Sequence, residues 1–173
     1  IENGITSIGA YAFSGCNNLA SIEIPSSVTS VGDGAFQDCS SLTGITIPES
    51  VTSIGDSAFF GCSDLTSITI PKNVTSIGNH AFESCTGLTS ITIPKSVISI
   101  GEFAFYNCTG LTSITIPRSV TSIGRGAFSG CSNSPEITVS CDSTLTKNAF
   151  GDASEKVKYR HSLVKTDAKD ATY

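Results

Sequence analysis

Cysteine is the residue type in this chain with the greatest chemical potential, and its spacing is regular. Six of the seven cysteines recur at one constant interval, at Cys16, Cys39, Cys62, Cys85, Cys108 and Cys131. Cysteines can form disulfides or bind metal ions. If consecutive repeats stack, however, neighbouring thiols lie about one strand spacing apart with parallel Cα–Cβ bonds, which is poor geometry for a disulfide. Because a phenylalanine precedes each of them, we predict a column of reduced, buried thiols that act as small apolar groups.

The remaining residues do not favour a metal site or a cofactor site. The chain has only two histidines, and neither completes a cluster with metal-ligand spacing. Cys141 lies outside the regular column, so a Cys131–Cys141 disulfide remains an open alternative. We predict no metal and no cofactor.

Catalysis is also poorly supported by the sequence. The chain contains no Gly-x-Ser-x-Gly motif, no glycine-rich phosphate loop and no His-Glu-x-x-His motif. Asp33 and Asp56 share one repeat position and could form a general acid–base pair. Neighbouring exposed carboxylates usually repel each other in solvent and do nothing else, so we predict that the protein is not an enzyme.

Hydroxyl and basic side chains form columns of their own, which suggest recognition. The hydroxyl columns comprise Thr46, Thr69, Thr92 and Thr115, flanked by Ser67, Ser90 and Ser113. A basic residue follows each of three prolines, at Lys72, Lys95 and Arg118. Together these side chains would form a polar face that could bind a protein or a glycan. The alternative is that threonine simply suits exposed strand positions.

Aromatic side chains also occur at positions that the apolar columns do not occupy. Phe60, His80, Phe103 and Tyr106 fall on adjacent repeats. They could form one exposed aromatic patch of the kind that marks contact sites. The alternative is a set of unconnected surface aromatics.

These columns arise from a 23-residue internal repeat, of which residues 74–96 are a representative unit. Isoleucine, proline and glycine recur at the same interval, and so does phenylalanine at Phe13, Phe36, Phe59, Phe82, Phe105 and Phe128. A unit of this length cannot bury a core alone, but stacked units can share one. The repeat therefore predicts a solenoid, in which each unit forms one coil.

The pattern within a unit predicts its local structure. Apolar and polar residues alternate at the end of residues 88–93, which is typical of a half-buried strand, and residues 97–100 form a second short extended piece. Gly101 marks a corner where φ is positive or where a Cβ atom would clash. Residues 102–108 carry apolar side chains at helical spacing, so we predict one or two turns of helix there.

The unit resembles the leucine-rich repeat of the Treponema pallidum type, found in BspA-like surface proteins. The shared pattern is Leu-x-x-Ile-x-Ile-Pro-x-x-Val-x-x-Ile-Gly-x-x-Ala-Phe-x-x-Cys, which covers residues 1–131 and continues in degenerate form to about 160. The resemblance implies an α/β solenoid of 23-residue coils, each with a strand, a short strand and a short helix, in a curved right-handed stack with a parallel sheet on its concave face.

The same resemblance implies a function and a location. It implies an adhesin-like protein, secreted or at the cell surface, that binds a host or matrix protein or a glycan through the concave sheet, and it carries no catalytic motif. The alternative is a structural spacer within a larger surface protein, which the near-identity of the hydroxyl columns favours.

The ends of the repeat region predict the organisation of the chain. Residues 1–131 would form six coils, 132–162 a degenerate C-terminal capping coil, and 163–173 a polar tail that could be disordered. The chain starts inside a repeat without a polar cap, so we expect a fragment of a longer array. An uncapped first coil exposes strand edges through which the protein could self-associate.

Charge is distributed unevenly along the repeats. Serine and threonine supply 48 of the 173 residues, and the formal net charge is −5. Positions 1–71 hold seven acids and no base, whereas positions 72–131 hold four bases and two acids. An acidic chain argues against a nucleic-acid partner. Since no apolar run is long enough to span a bilayer, we predict no transmembrane helix, and no signal peptide is recognisable.

Overall fold

A computed structural model describes residues 1–131, 136–140, 149 and 157–160. In these ranges the chain forms 13 β-strands. In chain order they are β1 (Ser7–Ile8), β2 (Ser21–Glu23), β3 (Ser30–Val31), β4 (Gly44–Thr46), β5 (Ser53–Ile54), β6 (Ser67–Thr69), β7 (Ser76–Ile77), β8 (Ser90–Thr92), β9 (Ser99–Ile100), β10 (Ser113–Ile116), β11 (Ser122–Ile123), β12 (Glu136–Ser140) and β13 (Val157–Arg160).

The strands form two parallel sheets that run the length of a β-solenoid. One sheet has seven strands in the order β13-β12-β10-β8-β6-β4-β2, and the other has six in the order β1-β3-β5-β7-β9-β11. In the repeats, each strand pairs with its equivalent one repeat away, so that Ile68 lies beside Ile91 and Ile91 beside Ile114. The predicted solenoid with its parallel sheet is therefore confirmed. The predicted capping coil at 132–162 and the tail at 163–173 lie largely or wholly outside the described residues.

The core lies between the two sheets and the turns that follow them. Ile91 and Ile93 are 6% and 5% exposed, whereas Ser90 and Thr92 are exposed to solvent, as the alternation predicts. Six phenylalanine rings stack along the axis with centroids 5.2–5.4 Å apart and planes within 8° of parallel. Such offset stacking adds about 0.5–1.5 kcal/mol per pair beyond the burial of apolar area.

From Gly32 onward, the glycine at the corner of each coil is required by the close approach of the preceding coil. A Cβ atom on Gly101 would lie 2.6 Å from the amide nitrogen of Asn79 and 2.6 Å from the carbonyl carbon of Gly78. Gly101 does not have a positive φ. Of the two reasons for a glycine at this corner, the steric one is therefore correct.

The helix predicted at residues 102–108 is wrong, because this segment is a series of turns. Phe103 and Asn107 have φ values of 53° and 57°, in the left-handed region that a right-handed helix excludes. The N–H groups of both residues donate to carbonyl oxygens of the next coil, and the N–H of Phe105 does the same. The N–H groups of Tyr106 and Cys108 donate to carbonyls three residues back. A helix would direct every N–H along its own axis, and the next coil would lose these hydrogen bonds.

Apart from Gly4, the left-handed residues of the described ranges occur at two fixed positions in every coil. One position holds Tyr11, Gly34, Ser57, His80, Phe103 and Gly126. The other holds Gly15, Asp38, Gly61, Ser84, Asn107 and Gly130. More than half of these residues are not glycine. Since glycine is the usual sequence signal for a left-handed turn, the sequence alone did not indicate these turns.

The cysteine column is buried and hydrogen-bonded. The thiols of Cys39, Cys62, Cys85 and Cys108 are wholly buried, and each donates to the carbonyl oxygen of a stacked phenylalanine in the preceding coil at 3.1 Å. Burial raises the pKa of the Cys62 thiol to about 12 and that of Cys85 well above its ordinary value. These four thiols are reduced and structural, as predicted. The possible Cys131–Cys141 disulfide involves a residue outside the described ranges.

Relief of left-handed strain should stabilise the protein at Ser57. A non-glycine residue in this region costs about 1–2 kcal/mol. Glycine removes that cost, but its greater conformational entropy in the unfolded chain cancels part of the gain. We expect Ser57→Gly to raise the free energy of unfolding by about 0.5–1 kcal/mol in urea titrations. Ser53→Gly, the same change in the extended strand β5, should lower it by a similar amount. If Ser57→Gly and Ser53→Gly changed the free energy of unfolding equally, the left-handed φ of Ser57 would not be a source of strain.

The buried thiols should make the protein sensitive to alkaline pH. The Cys62 thiol has a pKa near 9.0 in the unfolded chain and about 12 in the fold, so the folded state holds more protons between these values. Its stabilising effect is complete below pH 9 and is lost as the pH rises, at about 1.4 kcal/mol per pH unit for each such thiol.

We expect the free energy of unfolding, measured in reducing buffer, to fall above pH 9. Cys62→Ala should lower the free energy of unfolding at neutral pH but reduce its pH slope by one proton. Val74→Ala, a truncation of a buried side chain that carries no titratable group, should lower the free energy of unfolding but leave the slope unchanged. An unchanged slope in Cys62→Ala would show that the buried Cys62 thiol does not cause the loss of stability at alkaline pH.

Candidate recognition face

The outward side of the seven-stranded sheet carries the predicted hydroxyl columns, and we call it the hydroxyl face. Its members are Thr46, Thr69, Thr92, Thr115, Ser67, Ser90 and Ser113, all of which are exposed. Threonine pairs with threonine and serine with serine across β4, β6, β8 and β10, except where Gly44 precedes Ser67. The structure therefore brings all seven side chains together in one two-dimensional array.

The hydroxyls of this face differ from those beside it in their hydrogen bonding. Threonines just before the strands, such as Thr66 and Thr89, donate to the carbonyl oxygen of the preceding coil at 3.1–3.2 Å. Within the described ranges, by contrast, none of the seven hydroxyls of the hydroxyl face bonds to another protein group. Their donors and acceptors are directed to solvent and are available to a ligand.

A basic edge, formed by Lys72, Lys95 and Arg118, runs beside the hydroxyl face. Each of these residues is exposed and follows a proline in a β-turn closed by a valine N–H, with N–O distances of 3.1 Å. The same turn position holds Glu49 one coil earlier. The edge therefore changes sign between the turn that follows β4 and the turn that follows β6.

A concavity lies where this edge meets the later strands. It encloses about 830 Å³ across β8 and β10, and its lining includes Thr92, Thr115, Pro117, Lys95 and Arg118. A second depression of about 360 Å³ lies over β2, β4 and β6 and is lined by serine, threonine, isoleucine and glycine. Of these two, the larger one, which we call the basic groove, is lined by cationic side chains.

The structure brings three of the four predicted aromatic residues together. His80 stacks on Phe103 with ring centroids 5.3 Å apart, and Phe103 packs edge-on against Tyr106 at 5.6 Å. In the part of the chain that the structure describes, Phe60 makes no ring contact with them. His80 is also hydrogen-bonded to the carboxylate of Glu83.

The backbone under these rings explains why they pack. His80 and Phe103 occupy the left-handed turn position, so each side chain leans toward the next coil. The ring of Phe103 covers Gly126, where a Cβ atom would lie 2.5 Å from the ring. Tyr11 covers Gly34 in the same way. A bulky residue followed one repeat later by glycine is the sequence signal for this contact.

Asp33 and Asp56, which the sequence offers only as an unlikely acid–base pair, have a structural role that sequence reasoning missed. Asp33 Oδ1 accepts the N–H of Asp56 at 2.9 Å, and Asp56 Oδ1 accepts the N–H of Asn79 at 2.7 Å. Asn79 Oδ1 then accepts the N–H of Glu102 at 2.8 Å. These side chains form a ladder that joins four successive coils, from the one that holds Asp33 to the one that holds Glu102.

The described ranges contain neither a metal-binding cluster nor a membrane-spanning helix. No group of three or more His, Cys, Asp or Glu side chains in those ranges is placed to hold a metal ion. No helix in the same part of the chain has the length and apolarity needed to cross a membrane.

Comparison with protein families gives one match. The family model for the BspA-type leucine-rich repeat region matches residues 1–87 and 52–165 in six copies. No curated protein sequence matches the chain.

Solved structures with the same fold include three from bacteria. A leucine-rich repeat protein of T. pallidum is 30% identical, with a TM-score of 0.68, over 76% of this chain and 73% of that chain. A leucine-rich cell surface protein of Faecalibacterium prausnitzii is 35% identical, with a TM-score of 0.59, over 83% of this chain and 46% of that chain. A leucine-rich repeat protein of Bacteroides ovatus, 24% identical with a TM-score of 0.51 over 93% and 59% of the two chains, shares the fold.

The side-chain ladder should contribute measurably to stability. Asp56→Ala removes one acceptor and leaves the N–H of Asn79 without it, so we expect the free energy of unfolding to fall by about 1 kcal/mol. Asp56→Asn keeps an acceptor oxygen and should retain most of this stability. Asp64→Ala, an exposed acid outside the ladder, should change it by less than about 0.5 kcal/mol. Equal losses in Asp56→Ala and Asp64→Ala would show that the ladder is not stabilising.

Proposed function

Since the chain belongs to the BspA-type leucine-rich repeat family, we propose that it is a non-enzymatic recognition module that binds a protein or glycan through the hydroxyl face. The observation that carries this proposal is the seven exposed hydroxyls that make no hydrogen bond to the protein in the described ranges. The chain uses other threonines to join its coils but leaves these directed outward. A partner could satisfy them without disturbing the fold.

A location at the cell surface or outside the cell is part of the proposal. It is supported by the similar protein of Faecalibacterium prausnitzii, which is described as a cell surface protein. An adhesin-like role would follow from that location together with the recognition face. Its partner would be a host or matrix protein or a glycan.

A structural spacer remains a second candidate function. The uniformity of the threonine and serine columns favours it, because a site for one ligand usually requires several different side chains. In that case the hydroxyl face would only keep the surface hydrated.

A binding experiment separates the two functions. The chain would be screened against arrays of purified matrix proteins and of glycans, and then compared with the variant Thr69→Val, Thr92→Val, Lys95→Ala. Removal of two hydroxyls and one charge should weaken binding at least about tenfold, since each lost hydrogen bond contributes about 0.5–1.5 kcal/mol.

The matched control is Ser53→Ala, Ser76→Ala, Ser99→Ala on the six-stranded sheet, which should bind as the parent does. Thermal unfolding would verify that all three proteins are folded. If the parent binds nothing, the spacer is favoured. If the hydroxyl-face variant binds as tightly as the parent, the assignment to this face is wrong.

A further inference from the structure

We propose that the basic groove is a subsite for a linear acidic polysaccharide whose chain runs along the solenoid axis. This inference rests on the proposed function, because the basic groove is part of the recognition face. It adds the chemical class of the ligand and the position of the ligand on that face. The ligand would carry carboxylate or sulfate groups on sugar rings, and it would cross β6, β8 and β10 in turn.

The first support is the geometry of the basic edge. Lys72, Lys95 and Arg118 each stand one residue after a proline, in β-turns closed by the same hydrogen bond. The turns are one coil apart, so the three Cβ atoms follow one another at about 4.8 Å, the spacing of parallel strands. A row of three cations held in this way attracts an extended polyanion more strongly than it attracts a single small anion.

The second support is the chemistry of the floor beside these cations. Ser90, Thr92, Ser113 and Thr115 line the basic groove and direct hydroxyls outward that are not bonded to the protein in the described ranges. A hydroxyl both donates and accepts, as sugar hydroxyls do. A guanidinium or ammonium binds carboxylates and sulfates through charge-assisted hydrogen bonds. The site therefore matches both polar components of an acidic sugar.

The third support is the number of exposed hydroxyls, which favours a polysaccharide over an acidic peptide. The hydroxyl face presents two hydroxyls per coil on β6, β8 and β10, beside the cations, and these are unbonded within the described ranges. Every unit of a polysaccharide carries hydroxyls that can pair with them as donors and acceptors, whereas the ionised side chains of an acidic peptide carry only acceptors.

The reversal of charge along the edge limits the site to the later strands. Glu49 holds the equivalent turn position before Lys72, and Glu23 is exposed on β2 at one end of the sheet. Both carboxylates would repel a polyanion. The bound segment should therefore extend over the turns that follow β6, β8 and β10 and end near β4.

The test measures binding of oligogalacturonate, which carries one carboxylate per sugar, at low ionic strength. Neutral dextran and poly-L-glutamate of similar length serve as comparison probes. We expect the parent protein to bind oligogalacturonate more tightly than either one and to lose affinity as salt is added, because salt screens exposed charges.

Variants locate the site. Lys72→Gln, Lys95→Gln, Arg118→Gln should weaken oligogalacturonate binding about tenfold or more. Lys95→Gln alone should have a smaller effect, and Arg125→Gln, at an exposed cation on the turn side of the coil, should have none. Glu49→Lys extends the cationic row by one coil and should tighten binding. This last variant gains function, so it cannot be explained by misfolding.

Each alternative outcome overturns the proposal in a recognisable way. Equal binding of poly-L-glutamate would identify an acidic peptide as the ligand class. Three other results would exclude an acidic polysaccharide as the ligand class of the basic groove. They are equal binding of dextran, no binding of oligogalacturonate, and no effect of Lys95→Gln and Glu49→Lys on binding. If the Thr69, Thr92, Lys95 variant still lost its array partner in those cases, the recognition function would stand without this ligand. If that variant still bound the partner, the proposal that the hydroxyl face is the binding surface would be wrong.

Discussion

The stacking of each residue on its equivalent in the next coil is the contact on which the rest of this molecule depends. The core phenylalanines form one continuous stack with planes within 8° of parallel, and the buried thiols bond to the carbonyls of that same column. Both contacts require that every coil has the same length. An insertion in the interior would displace every later ring and thiol from its partner, so variation is restricted to side chains that face solvent.

Because all coils have the same length and core, they differ from one another mainly in the side chains at the surface. Because coils are superimposed, a change at one repeat position produces a local feature within an otherwise uniform column. The turn position that holds Glu49 in one coil holds Lys72 in the next, which reverses the charge of the edge. The position that holds Ser57 in one coil holds His80 and then Phe103 in the next two, and these two rings stack. The surface of such a scaffold can be altered by single substitutions without cost to the core.

The outward columns were predictable because strands alternate with a period of two. Once Ile91 and Ile93 face the core, Ser90 and Thr92 must face solvent, and stacking then aligns them with the equivalent residues of β10. The turns at residues 102–108 were not predictable, since apolar residues at helical spacing suit either structure. Left-handed φ values are disfavoured for residue types such as phenylalanine, and the hydrogen bonds to the next coil stabilise that conformation here.

The sequence by itself determined the repeat length, the composition of the core columns and the existence of a hydroxyl array with basic residues beside it. These follow from periodicity, because side chains at equivalent positions of equal coils must coincide. Only the tertiary structure decided which polar groups hold the coils together and which are available to a partner. Asp56 and Thr89 bond to neighbouring coils, whereas Thr92 and Thr115 do not bond to the protein in the described ranges. All four are exposed polar residues in the sequence pattern, and they differ only in their distance from a backbone group of the adjacent coil.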